Sequence, residues 1–200
     1  MELKFSPLSP YVRKVMVVAH EVGVAGRIRL TKVNTREEPD RIAAFNPIGK
    51  IPTLLTDNGG VLFDSPVICE YLDAEFGGHR LLPAAGARRW EVMTRAALAD
   101  GILDAAVLVR NERNRPAERQ SQDWIAWQLA KVYRGLDAFE TQVEAFAGEL
   151  DIAQVGLGCA LGYMPLRVEE MARLDRWPTL AAWNASLSGR ESFRLTTPVL

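Results

Sequence analysis

The chain has 200 residues, 48% of them hydrophobic, with 24 basic and 25 acidic side chains and a net charge of -1. That is enough apolar content for one large core or two small ones, and the charge is too balanced for a dedicated nucleic-acid or anionic-membrane surface. No apolar run approaches the ~20 residues of a membrane span, no leader pattern opens the chain, and Cys69, Cys159, His20 and His79 form neither a CxxC pair nor a metal-ligand spacing, so a cytoplasmic protein with no structural disulfide and no metal is expected.

In chain order, Leu3–Phe5 reads as a first strand. Ser9-Pro10 then marks a helix start, with serine at the N-cap and proline at the first helical position, and Val12, Val15, Met16 and Ala19 keep helical spacing to about Val22. A strand delivered into a capped helix N-terminus gathers unpaired backbone N–H groups around one point, which favours an anion. Arg27–Val33 alternates as a half-buried strand, and Arg41–Phe45 reads as a short helix before the loop Asn46-Pro47-Ile48-Gly49-Lys50. Thr53–Thr56 and Val61–Phe63 are strands joined by the turn Asp57-Asn58-Gly59-Gly60. Ser65-Pro66 repeats the opening device, serine cap then proline, and starts a helix that runs through Phe76. The order is βαβαββα.

Beyond Gly77-Gly78 the strand signals vanish. Residues 79–86 read as a linker between a domain at 1–78 and an all-helical domain at 87–200. A long helical pattern runs to about residue 112 and is broken by Pro116. Ile125, Leu129, Val132, Leu136, Phe139, Val143 and Phe146 then recur at alternating steps of four and three, the narrow seam of a packed bundle. Asp151 and Gln154 form a capping box in front of Val155–Tyr163, which is apolar on all sides and therefore belongs in the middle of a domain. Trp177-Pro178 opens a last helix. Trp124 and Trp127 read as packing residues, and Cys69 and Cys159 as buried, inert thiols.

These segments resemble the cytosolic glutathione transferases, over essentially the whole chain. Ser9-Pro10-Tyr11-Val12-Arg13-Lys14-Val15 is similar to the serine-type active-site segment of that family, Asn46–Leu54 to its loop into a cis-proline, Phe63–Ile68 to its acidic-Ser motif, and Asp151–Tyr163 to its capping-box core helix. The capping residue here is Asp151 where Ser or Thr is usual, Gln154 replaces Asp, and Lys50 stands where several classes have Gln. The chain looks most like a bacterial branch of the family. The resemblance implies an α/β thioredoxin-like N-terminal domain followed by an all-α helical bundle, glutathione as co-substrate, a homodimer, and a detoxifying transfer of glutathione to a small electrophile.

The resemblance also assigns roles. Glutathione attacks only as its thiolate, whose unperturbed pKa is about 8.5. Ser9 would donate a hydrogen bond to the sulfur, with the helix N-terminus and Arg13 adding positive charge. The backbone of Ile51, before cis Pro52, would pair with the tripeptide as an added strand does. Asp64 and Ser65 would hold the γ-glutamyl end, Lys50 the glycyl carboxylate, and Asp100 would reach the partner subunit's ligand. The electrophile pocket would lie between the domains, with Arg110, Asn111 and Arg113 recognising a polar or anionic group. Each residue also has a plainer role: Ser9 and Ser65 as caps only, Arg13 as a surface ion-pair partner, and the arginine cluster as a solvated face. Two other readings share the fold: glutathione-dependent isomerase or dehalogenase chemistry, and a non-catalytic glutathione-binding or regulatory protein.

Overall fold

The computed structural model describes residues 1–146, 148–171 and 173–198. Its N-terminal part runs β1 (Glu2–Phe5), α1 (Pro10–Glu21), β2 (Arg29–Lys32), α2 (Pro39–Ala43), β3 (Thr53–Leu55), β4 (Val61–Leu62) and α3 (Ser65–Leu72). This is the expected βαβαββα order. The sheet order is β2-β1-β3-β4, with β1 parallel to β2 and antiparallel to β3, and β3 antiparallel to β4. A parallel pair needs a crossover element, and α1 supplies it. Leu3 and Leu54 from the sheet, Val15, Val17 and Val18 from α1, and Ile68, Cys69 and Leu72 from α3 are buried and form this core.

Strand β1 carries charge. Glu2 accepts hydrogen bonds from Lys4, Thr31 and Arg29. These hydrogen bonds, Lys4 foremost and then Thr31, with the charges of Lys4 and Arg29 behind them, hold the Glu2 carboxyl at about 2 instead of 4.5. A folded-state pKa below the unfolded one gives stability that is fully present above the unfolded value and lost as pH falls through the folded one. Glu2→Gln is therefore expected to flatten the pH dependence of unfolding between about 4.5 and about 2, measured by urea denaturation. An unchanged profile would rule out this assignment.

After α3 the chain makes a π-type turn, Asp73–Gly77, closed by Gly78 at φ 63°. The buried Asp73 carboxylate accepts from the N–H groups of Leu81 (3.1 Å) and Leu82 (2.8 Å), fixing the segment that leaves the helix.

The remaining elements are α4 (Ala87–Arg113), α5 (Gln122–Glu140), α6 (Ile152–Arg167), α7 (Pro178–Ser188) and α8 (Glu191–Leu195). The chain divides into two compact units: Met1–Arg89 together with the residues from Glu191 onward, and Trp90–Arg190. In the second unit α6 is the core, with every residue from Ile152 to Leu161 buried. Asp151 caps it by accepting from Gln154 N–H at 3.0 Å, and its second oxygen takes a 2.9 Å bond from Arg95 on α4. Gly135 lets α5 approach α4, because a Cβ there would stand 2.5 Å from Ile102 Cγ1. The start of α7 has no side-chain cap of its own. Glu140 of α5 serves instead, accepting from the N–H groups of Thr179 and Leu180, each at 2.8 Å.

Four sequence expectations shift. The α5 seam continues to Phe146 in its apolar spacing, but the α-helix ends at Glu140 and Val143–Phe146 is a 3-10 turn that buries the same apolar side chains. Ser65 is the first helical residue of α3 and not its cap. The Asp64 carbonyl accepts the first intrahelical bond from Ile68 N–H at 3.0 Å, which makes Asp64 the N-cap and puts Pro66 at the second position, where its missing N–H costs no bond. Trp124 and Trp127 do not pack inside: they lie against each other at 5.0 Å, 39% and 53% exposed, with the Lys131 ammonium 3.5 Å over Trp127. Helix α8, which the sequence did not announce, packs on α1, where Arg13 donates to the Phe193 carbonyl at 3.4 Å and Ser192 donates to Glu21.

Candidate functional site

The residues singled out in the N-terminal part come from three places in the first unit: the start of α1, the loop before β3, and the start of α3. Each has a local reason for its conformation. Ser9 has extended backbone (φ -79°, ψ 118°) and its Oγ accepts from Val12 N–H at 3.3 Å, while Pro10 occupies the first helical position. The accepting bond uses an oxygen lone pair and leaves the hydroxyl hydrogen free to donate elsewhere. Serine in this place can thus satisfy the helix and offer a proton to an anion at the same time.

The loop before β3 is held by a residue outside the expected set. Asn46 is buried, its Nδ2 donates to the Lys50 carbonyl at 3.0 Å, and its Oδ1 accepts from Ile48 N–H at 3.2 Å. Thr53, also buried, donates from Oγ1 to the same Lys50 carbonyl at 2.9 Å. The Asn-Pro pair at 46–47 is the sequence signal for such an Asx turn. The Lys50 backbone is fixed from two sides while its side chain stays exposed. The Ile51–Pro52 peptide is cis, as expected. Among the described residues neither backbone group of Ile51 is hydrogen-bonded, so both remain available to an extended peptide laid alongside.

At the start of α3, Ser65 is buried and Asp64 exposed, and the Phe63–Asp64 peptide is also cis. The unpaired N–H groups of the first turn make this a second place where a carboxylate is favoured, with the Asp64 carboxylate beside it as a partner for a cation. Arg13 lies one turn into α1 from Ser9. Its guanidinium is engaged by α8 through the Phe193 carbonyl and the Phe193 ring, whose centroid is 5.6 Å away.

The expected residues on α4 belong to the second unit. Asp100 is half-buried there. Arg113 pairs with Glu170, a bond that raises the arginine's pKa and lowers the glutamate's. Among the described residues Arg110 reaches only the amide oxygen of Asn111, at 3.4 Å, and borders an open cavity of about 320 Å³ lined also by Asn114, Pro165, Leu166, Arg167, Val168 and Glu169. Arg167 is a residue that sequence reasoning missed, for it lies at the end of an apolar helix with no motif around it. Among the described residues no helix is long and apolar enough to cross a membrane, and no group of His, Cys, Asp and Glu is clustered as metal ligands are.

A family model described as the N-terminal domain of glutathione S-transferase matches residues 8–75, which span all three places of the N-terminal site. Over 99% of its length the chain is 35% identical to an uncharacterized GST-like protein, YibF, of Escherichia coli (strain K12), of which it covers 98%. Among solved structures, a glutathione transferase family member from Pseudomonas fluorescens Pf-5 with bound glutathione is similar at 42% identity and a TM-score of 0.94, over 100% of this chain and 99% of that one. A glutathione S-transferase from Methylobacillus flagellatus KT, with glutathione bound, is similar at 38% identity and a TM-score of 0.88, over 99% of each chain.

Proposed function

The chain belongs to the glutathione S-transferase family and has its fold, and from that premise we propose that it binds glutathione in its N-terminal unit and transfers it, as the thiolate, to a small electrophile. The observation that carries the reading is the full-length similarity, at 42% identity, to a structure holding glutathione. The local geometry supports it. Ser9 donates its free hydroxyl hydrogen to the sulfur while capping α1, so the enzyme is of the serine type. The helix N-terminus favours the negative sulfur, and Arg13 adds charge from the same helix. The backbone of Ile51, beside Pro52, pairs with the cysteinyl residue. Ser65 and the first-turn N–H groups of α3 hold the γ-glutamyl carboxylate, Asp64 its ammonium, and Lys50 the glycyl carboxylate.

The chemical step is attack of S⁻ on an electrophilic carbon. A C–S bond forms, and either the leaving group departs with its electron pair or, in an addition, the carbanion takes a proton from water. The protein acts as a cytoplasmic homodimer in which Asp100 approaches the ligand of the partner subunit, and its role is detoxification. Of the α4 residues, Arg113 is committed to Glu170, which leaves Arg110 and Asn111 to meet polar groups of the electrophile.

Calorimetric titration with glutathione is expected to give saturable one-site binding, with thiolate absorbance appearing in the complex at neutral pH. Absence of binding would overturn the whole reading. Binding with thiolate but no turnover across a broad electrophile panel would favour a non-catalytic glutathione-binding protein.

A further inference from the structure

The cavity at the ends of α4 and α6 holds two guanidinium groups with little to bind. Arg110 makes one long hydrogen bond, to Asn111, and Arg167 makes none among the described residues. Neither forms an ion pair among those residues, although both are only partly exposed. A guanidinium carries five N–H donors in a planar fork, and holding it half out of water without acceptors is unfavourable.

Glu170 is bonded to Arg113, and Glu169, exposed on the cavity wall, forms an ion pair with neither Arg110 nor Arg167 among the described residues. The two unpaired arginines act together elsewhere: burial pushes the Tyr163 hydroxyl up, and Arg110 and Arg167 both oppose that shift, which puts both cations near one phenol. Neither acid is bonded to them, and a positive pair stands at the wall of an open space of about 320 Å³.

Among the described residues neither guanidinium donates to a carbonyl at the end of α6, where the Met164 carbonyl accepts from Val168 N–H at 2.8 Å. The rest of the wall is Pro165, Leu166 and Val168 with the Asn114 amide and the exposed Glu169 carboxylate, apolar surface beside two further polar groups. A cavity of this size suits a small molecule, and this lining suits one with an anionic head and an apolar body.

We propose that the Arg110–Arg167 cavity is a binding site for a small organic carboxylate, the two guanidinium forks and Asn114 holding the carboxylate while Pro165, Leu166 and Val168 cover its apolar body. Where it bears on turnover, this rests on the reading of Arg110 as a second-substrate residue, and the electrophile would then be a carboxylic acid. The binding itself is independent of glutathione.

The test uses the full chain and two probes, benzoate and inorganic phosphate, followed by NMR. Benzoate is expected to bind saturably and to shift the Nε–H resonances of Arg110 and Arg167 while leaving that of Arg113 in place. Arg110→Gln and Arg167→Gln should each weaken it by about 10-fold or more, the loss of a charge-assisted contact, whereas Arg113→Gln should leave it within about 2-fold of the parent. Phosphate should bind more weakly than benzoate, and the Ser9→Ala protein should bind benzoate as the parent does.

The resonance shifts in the parent protein keep the proposal falsifiable should a variant fold poorly. No saturable binding, or binding that survives both arginine substitutions, overturns the site. Equal affinity for phosphate overturns the organic-carboxylate assignment. Benzoate binding in a protein that ignores glutathione would leave this site standing and the glutathione reading fallen.

Discussion

Replacing Asp151 by alanine is expected to destabilise the protein by about 3–5 kcal/mol. The carboxylate does two jobs. One oxygen caps the N-terminus of α6, the helix around which the second unit is packed, and a cap of this kind contributes roughly 1 kcal/mol. The other oxygen pairs with Arg95, and the two side chains are only 7% and 15% exposed. Removing one partner of a buried pair costs more than the pair itself contributes, because the remaining charge has lost both water and counter-charge. Arg95 is poorly placed to recover, since its Nε is already buried without a partner.

The measurement is urea unfolding, read as a shift in midpoint at constant slope. Asp151→Asn separates the two jobs, because asparagine caps as well as aspartate but cannot neutralise Arg95. It should lose most of the ion-pair part and little of the cap. Adding Arg95→Met to Asp151→Asn should restore part of the stability, since the orphaned charge is then gone. A loss below about 1 kcal/mol for Asp151→Ala would mean that the pair is solvated in solution.

Ser9→Ala is expected to raise the pKa of bound glutathione's thiol by about one to two units, from the roughly 1.5–3 kcal/mol of a hydrogen bond to a charged acceptor. At neutral pH the thiolate fraction, and with it kcat/KM for a conjugation reaction, falls by about 5- to 50-fold. The sign predicts the pH dependence. The variant should regain most of its rate as pH rises above the shifted pKa, because the thiolate is then present without help. Ser9→Thr, which keeps the hydroxyl, should stay near the parent. Thiolate absorbance of the complex against pH reads the shift directly, and an unchanged pKa in Ser9→Ala would remove Ser9 from the chemistry and leave it the cap of α1 alone.

Much of the fold is legible in the sequence because local rules set it. The alternation of Arg27–Val33 placed β2, the turn residues 57–60 placed β3 and β4, and the Ser-Pro pair at 9–10 located the start of α1. The Asp151 cap was legible because the carboxylate and the N–H it accepts from lie three residues apart in sequence. The misses share a different physics. Apolar spacing reports which side chains are buried, not which carbonyl each N–H finds, so the seam of α5 runs on through a 3-10 turn. At Ser65 the cap moved by one residue because cap identity depends on backbone angles, and Asp and Ser both serve as caps. Helix α8 has five residues and too few periods to show a pattern.

The candidate site divides in the same way. Ser9 and Pro52 stand in short motifs and could be named. Asn46 showed only as a turn residue, and its hold on the Lys50 carbonyl depends on how the loop closes. The partners of Arg13 and Arg95 lie 180 and 56 residues away, a distance over which one sequence carries no pairing signal.

Helix α1 bears the residue proposed to touch sulfur, and its outer flank is met by α8 through the Arg13–Phe193 and Glu21–Ser192 bonds. The unit that begins with β1 is therefore assembled from two pieces of chain separated by all of Trp90–Arg190. During synthesis, where domains tend to fold as they emerge, the sheet and its first helices are made well before the strap that clasps them. The first unit can collapse early, but α1 receives its last support only after the whole helical unit has left the ribosome. Residues from Glu191 onward thus complete the environment of a helix made well before them.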